Sequence, residues 1–585
     1  MNYLESRAEY GSDVVVEMLR ALGVKYAAAN PGASWRGLHD SLVNFGEGGP
    51  EMLLACHEEI AVAMAHGYAQ ASGELMAAIV HDIVGLQHAS MAIFNAWCDR
   101  APLMVLGGTG PMDSRQRRPW IDWVHTALVQ GEQVRDYVKW DDQPASVEAV
   151  PESLLRAYRI AMTEPRGPVY VCLDAGVQEE RITAPTKLPD PAQYQPAAPP
   201  APNPEALREA ARLLVAADFP VIVAESVGRN PSALPDLSQL SELLGAAIID
   251  RGARFNVPTT HPLDLTLDFG RVLREADVIL ALDVDDLEAT FSEVGRDRSD
   301  AEPPLRAGAK VISISLTDYV PQSWVVDIGR IFPIDLAMTG NTAVALPLLL
   351  EECRRAVEAD SSSAARVEAR RAALIRRRND VVASVLARAE QHWNAEPIST
   401  LRMSGELWNA ARELPFTRVN GRAMNRAQWT LTEPLHFLGG GGGGGGVGFS
   451  AGGAMGAAVA LRQAGRICIS VMGDGDLLYT PSALWTAAHH QIPGLMVVHN
   501  NRAYFQDEGH QAHMAEMRGR PVENRMVGIE ITQPNTDFAT LARAFEVESW
   551  GPIEHPDQLG PALNQALKAV QEGRPALVDV VSQPR

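Results

Sequence analysis

The sequence predicts an α/β protein with three domains in series, each a mostly parallel sheet flanked by helices. The chain has 585 residues, which is too many for a single hydrophobic core at a typical ~150 residues per domain. Short apolar runs alternate with longer amphipathic stretches, a pattern typical of parallel strands buried between helices. The apolar runs are MAAIV at 76–80, PLMVLGG at 102–108, GPVYVCLD at 167–174, PVIVAE at 220–225, DVILALD at 277–283, KVISIS at 310–315, RICISVMGDG at 466–475, LMVVHNN at 495–501 and PALVDVV at 575–581.

Two changes in composition divide the chain. Residues 185–204 contain eight prolines, which cannot continue a helix or a central strand, so this stretch is predicted to be an extended linker. Residues 355–385 are polar and then arginine-rich, which predicts a surface helix joining two domains; a nucleotide-binding basic patch is the alternative. The predicted domains are therefore N-terminal at 1–184, middle at 205–354 and C-terminal at 386–585.

Composition and charge exclude several classes of protein. Apolar residues make up 46% of the chain and charged residues 21%, as in soluble globular proteins. Lys and Arg number 51 against 72 Asp and Glu, and the net charge of −21 argues against nucleic acid as the main partner. We see neither a run of ~18 apolar residues nor a signal-peptide core, so no membrane span is expected. The five cysteines lack CxxC spacing, which predicts a reduced, cytoplasmic protein without a disulfide framework or a cysteine zinc site.

Polar residues follow two neighbouring strands of the predicted C-terminal sheet. The strand RICISVM runs into Gly-Asp-Gly-Asp at 473–476, and the strand LMVVH ends at Asn-Asn at 500–501. A strand–helix–strand unit would bring Asp474 and Asn501 to the same edge of the sheet. A carboxylate and an amide oxygen are ligands that suit octahedral Mg²⁺ when phosphate oxygens complete the shell. A glycine-rich turn alone is common, but the two motifs at this spacing are specific.

This pair of motifs resembles the signature of thiamine diphosphate-dependent enzymes, the family of acetolactate synthases and benzoylformate decarboxylases. The resemblance implies a thiamine diphosphate-binding fold in the first and third domains and a Rossmann-like middle domain. It implies that Mg²⁺ is held by Asp474, Asn501 and the main-chain carbonyl of Ala503, and that the diphosphate is lined by Gly475, Asp476, Tyr504 and Phe505. Asp476 departs from the family pattern, since a small neutral residue is usual there, and its role is left open.

The segment HEEIAVAMAHGYAQASG at 57–73 carries the second part of the resemblance. A carboxylate here could simply favour the start of a helix through the helix dipole. In the family, however, a glutamate nine residues before Gly-Tyr-Ala hydrogen-bonds the aminopyrimidine ring and promotes loss of the C2 proton, and Glu58 has that position. Asn30 and Pro31 match a family turn on the cofactor side. Family members bind the cofactor between subunits, which implies a homodimer or homotetramer.

Residues 439–446 are eight consecutive glycines. A flexible linker is one interpretation. In relatives, a bulky apolar residue in a Gly-rich segment wedges between the two cofactor rings, which implies this role for Val447 and implies that the Gly445 carbonyl accepts from the cofactor amino group. The small-residue stretch that follows, VGFSAGGAMGAAVAL, predicts a closely packed helix. The rest of the glycine run has no family counterpart.

Three side chains are candidates for moving protons during catalysis. His81 follows the strand AAIV and aligns with an active-site histidine of benzoylformate decarboxylase-like enzymes, although a buried structural histidine is the alternative. His125 matches a cofactor-facing aromatic position of acetolactate synthases. Asp507 falls six residues after Asn501, where pyruvate decarboxylase-like enzymes carry an acid, but it could equally be a surface residue.

The sequence thus predicts a thiamine diphosphate- and Mg²⁺-dependent enzyme that makes or breaks a C–C bond next to a carbonyl. A 2-oxo-acid decarboxylase or an acetolactate synthase-like carboligase acting on small molecules is favoured. A lyase for 2-hydroxy ketones or 2-hydroxyacyl-CoA is one alternative, since arginines at 366–378 could contact a CoA phosphate, and a non-catalytic cofactor-binding protein is another. FAD is not expected, because HPLDLTLDFGRVLREADV at 261–278 lacks the His-Gly pair of the flavin-binding relatives.

Overall fold

Three parallel sheets form the framework of the chain. The computed structural model describes residues 3–46, 48–184, 186–292, 305–320, 330–360, 363–439 and 443–583. Within these ranges one sheet lies in the N-terminal part of the chain, one in the middle and one in the C-terminal part, and helices follow the strands throughout. The predicted fold class is confirmed.

The N-terminal part folds into a parallel sheet covered by helices. Its strands are β1 (Tyr3–Leu4), β2 (Tyr26–Ala29), β3 (Glu51–Leu54), β4 (Met76–Val80), β5 (Leu103–Thr109), β6 (Asp141–Asp142), β7 (Val169–Asp174) and β8 (Leu188–Pro189). In the described residues β2 to β7 form one sheet in the order β3-β2-β4-β5-β7-β6, and β1 pairs with β8 antiparallel. Its helices are α1 (Gly11–Ala21), α2 (Arg36–Asp40), α3 (Glu58–Ser72), α4 (Ile83–Cys98), α5 (Ile121–Val124), α6 (Val150–Met162) and α7 (Ala175–Glu179). Every residue of β4 and β5 is buried, because helices cover both faces.

The middle part is a doubly wound parallel sheet whose strand order, 2-1-3-4-5 in chain order, is flavodoxin-like and differs from the 3-2-1-4-5 start of a Rossmann sheet. Its strands are β9 (Pro220–Ala224), β10 (Ala247–Asp250), β11 (Val278–Leu282), β12 (Lys310–Ser315) and β13 (Leu336–Thr339). Across the described residues their order is β10-β9-β11-β12-β13, so the order reverses between β9 and β11. Its helices are α8 (Pro204–Ala216), α9 (Leu234–Leu244), α10 (Phe269–Glu275), α11 (Leu287–Phe291), α12 (Thr342–Ala359) and α13 (Ser363–Gln391).

The C-terminal part is again a parallel sheet between helices. Its strands are β14 (Phe416–Arg418), β15 (Ile467–Gly473), β16 (Leu495–Asn500), β17 (Glu548–Ile553) and β18 (Ala576–Val581), and their order in the described residues is β14-β15-β16-β18-β17. Its helices are α14 (Thr400–Ala411), α15 (Phe449–Leu461), α16 (Asp474–Tyr479), α17 (Ala483–His489), α18 (Phe505–Met517), α19 (Phe538–Ala544) and α20 (Pro556–Gln571).

Contacts along the chain define two compact units. One contains residues 1–197, 393–423 and 441–585, and the other contains residues 198–392 and 424–440. The N-terminal and C-terminal sheets therefore belong to the same unit. Helix α13 covers most of the interval predicted to be a linker helix, and the proline-rich interval ends where Asn203 caps α8 by accepting from Glu205 N at 2.8 Å. The domain boundaries themselves stay a prediction.

Helices α3 and α15 pack directly against each other within the first unit. A Cβ on Gly67 would lie 2.0 Å from Gly453 O, and one on Gly456 would lie 1.9 Å from Met64 O. These separations are shorter than any van der Waals contact, so only glycine allows the two backbones to approach this closely. The small-residue stretch after the glycine run thus forms a helix whose contacts explain its composition.

The described helices include no candidate for a membrane span. None of them combines the length and the apolar character needed to cross a membrane. All five cysteines are free thiols, and three of them are buried.

Candidate active site

The motifs Gly-Asp-Gly and Asn-Asn meet at one edge of the C-terminal sheet. Strand β15 ends at Gly473, and Asp474 is the first residue of α16. Strand β16 lies beside β15 in parallel and ends at Asn500, so Asn501 follows at the same edge. The fold brings together the two polar groups that the strand–helix–strand interpretation placed there.

Asp474 presents a buried carboxylate oxygen that accepts no hydrogen bond from the described residues. The residue is only 3% exposed. Its Oδ1 accepts a hydrogen bond from Gly475 N at 2.8 Å, whereas Oδ2 has no hydrogen-bond partner in the part of the chain that the structure describes. Burial raises the pKa of Asp474, because a charge is poorly solvated there. A cation bound at Oδ2 would both satisfy this oxygen and keep the carboxylate charged.

The turn after β16 supplies further oxygen donors. Asn501 Oδ1 accepts from Ala503 N at 3.3 Å, and Arg502 between them has a φ of +58°, which makes the turn tight. The backbone N–H groups of Arg502 and Ala503 also face Asp474 and lower its pKa. A carboxylate, an amide oxygen and a main-chain carbonyl are hard donors of the kind that Mg²⁺ prefers. Asp474, Asn501 and the Ala503 carbonyl therefore fit the predicted Mg²⁺.

The residues expected to line the diphosphate surround the same turn. A Cβ on Gly475 would lie 2.5 Å from Tyr504 Cε1, so the tyrosine ring rests on the glycine backbone. Tyr504 is 36% exposed, and Phe505 begins α18 with its side chain partly buried. The ring contact explains why a glycine is required at position 475.

Asp476 is bonded to the segment that carries Val447. Its Oδ1 accepts from Gly448 N at 2.5 Å, and Thr480 Oγ1 donates to Gly448 O at 3.1 Å. Gly448 has a φ of +102°, which only glycine adopts without strain, and a Cβ there would lie 2.6 Å from Glu59 Oε1. The acid that departs from the family pattern therefore holds this glycine in place.

Residues 443–446 of the glycine run pack along α4. A Cβ on Gly446 would lie 2.1 Å from Met91 Cε, and one on Gly444 would lie 2.6 Å from Phe94 Cδ1. Asn95 Nδ2 donates to Gly446 O at 3.3 Å. Close packing thus explains why positions 444 and 446 are glycine. Gly445 instead faces open space, and its φ of +72° is a conformation that favours glycine. Residues 440–442 of the run lie outside the described residues.

Glu58 lies at the start of α3 and is 5% exposed. Its Oε2 is 3.3 Å from Nδ1 of His88, whose side chain is more than half exposed. A Cβ on Gly85 would lie 2.8 Å from Glu58 Oε1 and 2.9 Å from His81 Cβ. Gly85 therefore keeps the glutamate and His81 close together at one end of α4.

His81 and His125 flank a buried carboxylate that the sequence reasoning missed. Asp82 is 2% exposed, its Oδ2 is 3.6 Å from His81 Nδ1, and its Oδ1 is 3.5 Å from His125 Nδ1. Ser34 Oγ lies 2.7 Å from His81 Nδ1. Burial, and then the charge of His125, lower the pKa of His81, whereas burial raises the pKa of Asp82 to about 7. Asp82 directly follows His81 at the end of β4, and this position in the sequence could have identified it as a site residue.

The remaining predicted residues lie elsewhere in the same unit. Asn30 Nδ2 donates to Ala55 O at 3.0 Å, so this side chain ties β2 to the end of β3, and Pro31 is exposed. Asp507 is exposed on α18, with its Oδ1 3.8 Å from His510 Nδ1. The structure does not bring Asp507 into contact with the described residues around Glu58 and His81.

Comparisons with known proteins agree with this geometry. The family model for the N-terminal TPP binding domain of thiamine pyrophosphate enzymes matches residues 10–133, and the model for the C-terminal TPP binding domain matches residues 420–580. The chain belongs to the thiamine pyrophosphate enzyme family. The resemblance inferred from the motifs is confirmed.

Relatives of this thiamine pyrophosphate enzyme match it over nearly its full length. It is 27% identical to benzoylformate decarboxylase from Pseudomonas aeruginosa, over 97% of this chain and 98% of that protein. It is 23% identical to the acetolactate synthase isozyme 3 large subunit of Escherichia coli, over 97% and 94%. A solved thiamine diphosphate-dependent 4-hydroxybenzoylformate decarboxylase from Rhodococcus jostii has a TM-score of 0.74 at 20% identity and covers 98% of this chain and 99% of its own. This last likeness shows the fold.

The contacts of Asp476 lead to a prediction about cofactor affinity. We expect Asp476→Ala to weaken thiamine diphosphate binding about five- to 150-fold, because the buried Gly448 N–H loses its acceptor at a cost of ~1–3 kcal/mol. Asp476→Asn keeps an acceptor oxygen and should bind nearly as the wild type does. Calorimetry at saturating Mg²⁺ measures the affinity. Tighter binding by Asp476→Ala would instead mean that the carboxylate faces and repels the diphosphate.

Glu59 leads to a prediction about pH. Burial, and then the charge of Asp476, raise the pKa of Glu59 to about 7. The folded state therefore favours the protonated side chain, and the stability this gives is complete below the unfolded pKa near 4.5 and is lost as pH rises through 7. We expect Glu59→Gln to be more stable than the wild type at pH 8, by ~1–2 kcal/mol after allowance for solvent screening, and to show little difference near pH 4.5. Thermal unfolding of the cofactor-free protein tests this, with the exposed Glu516→Gln as the control.

Proposed function

We propose that this thiamine pyrophosphate enzyme is a Mg²⁺-dependent 2-oxo-acid decarboxylase or acetolactate synthase-like carboligase. The observation that carries the proposal is the position of Glu58. Its carboxyl group is buried, and both this group and His81 lie against Gly85. A carboxyl group that serves the cofactor and an imidazole that serves the substrate are the two proton-handling groups that such a reaction requires. The similarity to benzoylformate decarboxylase and acetolactate synthase supports the same reaction class.

Separate groups of side chains serve the cofactor rings, the diphosphate and the metal in the proposed reaction. Bound thiamine diphosphate supplies a carbon nucleophile and an electron sink for the carbonyl carbon of the substrate. Glu58 holds a proton at ring N1′ of the cofactor. Asp474, Asn501 and the Ala503 carbonyl would hold Mg²⁺, which would neutralise the diphosphate, and the segment that contains Val447 would support the cofactor rings.

His81 and His125 are proposed to move the substrate's protons. Burial lowers the pKa of His81, so its imidazole is neutral near pH 7 and suited to accept a proton. His125 Nδ1 lies 3.5 Å from Asp82 Oδ1, so this second imidazole faces the same buried carboxyl group as His81. Asp507 is a weaker candidate, since it is exposed and faces His510.

The arginines on α13 do not favour a CoA substrate. Arg370 Nη1 donates to Ala217 O at 2.6 Å, and Arg378 Nη2 donates to Thr259 O at 2.6 Å. Arg377 bonds Asp268 and Glu275. These guanidinium groups are engaged within the middle unit, where they attach the long helix, so the lyase alternative loses the feature that suggested it.

We also propose that the enzyme carries no flavin. The crevice of the middle sheet, where the strand order reverses, is the usual place for a dinucleotide. Here the ends of β9 and β11 carry Glu225, Asp283 and Asp285, and Asp285 N donates to Glu225 Oε2 at 2.7 Å. Carboxylates in this position would repel a pyrophosphate.

We further propose a cytoplasmic homodimer or homotetramer, in keeping with the family resemblance and the free thiols.

Product analysis tests the proposed function. The holoenzyme would be incubated separately with pyruvate, benzoylformate and a 2-hydroxyacyl-CoA, and the products and released CO₂ identified. We expect CO₂ from a 2-oxo acid, with loss of turnover by ~10²–10⁴-fold in His81→Ala and little change in Asp507→Ala. Cleavage of the 2-hydroxyacyl-CoA without action on either 2-oxo acid would contradict the proposal, and a flavin spectrum from the purified protein would contradict the flavin-free assignment.

A further inference from the structure

His81, Asp82 and His125 form a compact cluster of metal-ligating side chains, separate from the residues proposed for Mg²⁺. All three lie at the carboxyl-terminal side of the N-terminal sheet, His81 and Asp82 directly after β4 and His125 directly after α5. One possible ligand atom from each residue lies within 4.8 Å of the others. Two imidazoles and one carboxylate are a common donor set for zinc in proteins.

The spacing of these atoms suits a small tetrahedral ion. Two ligands about 2.0–2.1 Å from Zn²⁺ at tetrahedral angles lie about 3.4 Å apart. The observed separations are 3.6 Å between Asp82 Oδ2 and His81 Nδ1 and 3.5 Å between Asp82 Oδ1 and His125 Nδ1, so each ring faces a different oxygen of the same carboxylate. Both are too long for a hydrogen bond and close to the separation that a shared ion would set.

Two of the donor atoms are buried and unsatisfied. Asp82 Oδ1 and His125 Nδ1 face each other, and neither has a hydrogen-bond partner within the described ranges of the chain. Asp82 is 2% exposed, so its unpartnered oxygen is costly unless an ion or a water satisfies it. The negative charges of Asp122 and Glu58 add to the local field, which further favours a cation.

The donors also select the kind of ion. Imidazole nitrogen is a borderline-soft ligand that suits Zn²⁺, Ni²⁺ and Cu²⁺, whereas Mg²⁺ prefers oxygen. The Asp474 site offers only oxygens, so the two sites should take different ions. Ser34 Oγ competes for the His81 nitrogen at 2.7 Å, and its hydroxyl must release that nitrogen when a metal binds.

We propose that His81, Asp82 and His125 bind a divalent transition-metal ion, with Zn²⁺ as the best fit, at a site distinct from the Mg²⁺ site. Three protein ligands leave one position open for water or for a substrate oxygen. Binding of the ion does not depend on the proposed function. A consequence that does rest on it is inhibition, because the ion occupies the nitrogens that would otherwise carry protons.

Metal titration of the holoenzyme tests the proposal. Calorimetry with Zn²⁺ in saturating Mg²⁺ and thiamine diphosphate should give one ion per chain, and Co²⁺ in place of Zn²⁺ should give the intense visible bands of a tetrahedral site. Affinity should fall by more than ~10-fold in Asp82→Asn and in His125→Gln. It should rise in Ser34→Ala, where no hydroxyl competes for His81.

A surface histidine provides the matched control. His555 lies 3.2 Å from Glu396 with both side chains exposed, and His555→Ala should leave stoichiometric Zn²⁺ binding unchanged. Circular dichroism and thiamine diphosphate affinity check that each variant is folded. Unaltered binding in both Asp82→Asn and His125→Gln, or no stoichiometric binding by the wild type, would overturn the site. Stoichiometric binding without inhibition would keep the site and instead contradict the proton-carrying roles of His81 and His125.

Discussion

Replacing Glu58 with glutamine is expected to slow deuterium exchange at C2 of bound thiamine diphosphate, and turnover with it, by ~10²–10⁴-fold. Glutamine fills the same buried space and still makes one hydrogen bond, but it does not transfer a proton. The protein should therefore fold normally and keep much of its cofactor affinity. NMR of the bound cofactor measures the exchange before any substrate is added, so the result does not depend on which substrate the enzyme uses.

Gly85 supplies an independent variant for the same claim. A Cβ at this position would lie 2.8 Å from Glu58 Oε1, so Gly85→Ala should displace the carboxyl group without removing it. We expect exchange slower than in the wild type but faster than in Glu58→Gln. His81→Ala is the matched control, since it should lower turnover while it leaves C2 exchange unchanged. Normal exchange in Glu58→Gln would refute the assignment of this glutamate to the cofactor.

Asp474→Ala is expected to abolish retention of thiamine diphosphate, with affinity lowered by more than the ~10–100-fold that loss of a second-sphere metal partner costs. The substitution removes the charged oxygen that Mg²⁺ would neutralise and leaves the diphosphate uncompensated. In the cofactor-free protein the effect should have the opposite sign. Oδ2 of Asp474 is buried without a partner among the described residues, so its removal should not lower, and should slightly raise, the unfolding temperature.

Thermal unfolding with and without ligands separates the two effects. The wild type should gain stability when Mg²⁺ and thiamine diphosphate are added together, as any ligand that binds only the folded state stabilises it. Asp474→Ala should show no such gain, and Asp474→Asn should show a small one because an amide oxygen remains. If the apo variant is strongly destabilised, Asp474 is a structural residue. If Asp474→Ala still gains stability when Mg²⁺ and thiamine diphosphate are added, Asp474 is not a metal ligand.

The sequence by itself determined nine of the strands, their parallel arrangement and the ends at which polar groups meet. Buried parallel strands are continuous apolar runs, and the residue after each run falls at the same edge of the sheet because all the strands point the same way. This is why Asp474 and Asn501 could be paired from spacing alone. The position of Glu58 at the start of α3 followed from the apolar helical stretch that comes after it, whereas its role towards the cofactor was implied only by the family resemblance.

Only the tertiary structure decided where the side chains at these positions turn. Asp476 accepts a hydrogen bond from Gly448, 28 residues away in the chain, and residues 443–446 of the glycine run pack on α4. Asp82 lies between two histidines from different loops, and Asp507 is exposed to solvent. Each outcome depends on what a distant element places opposite the residue. Local pattern sets the element and its face, but the partner that satisfies a buried polar atom comes from packing, and packing joins residues far apart in the chain.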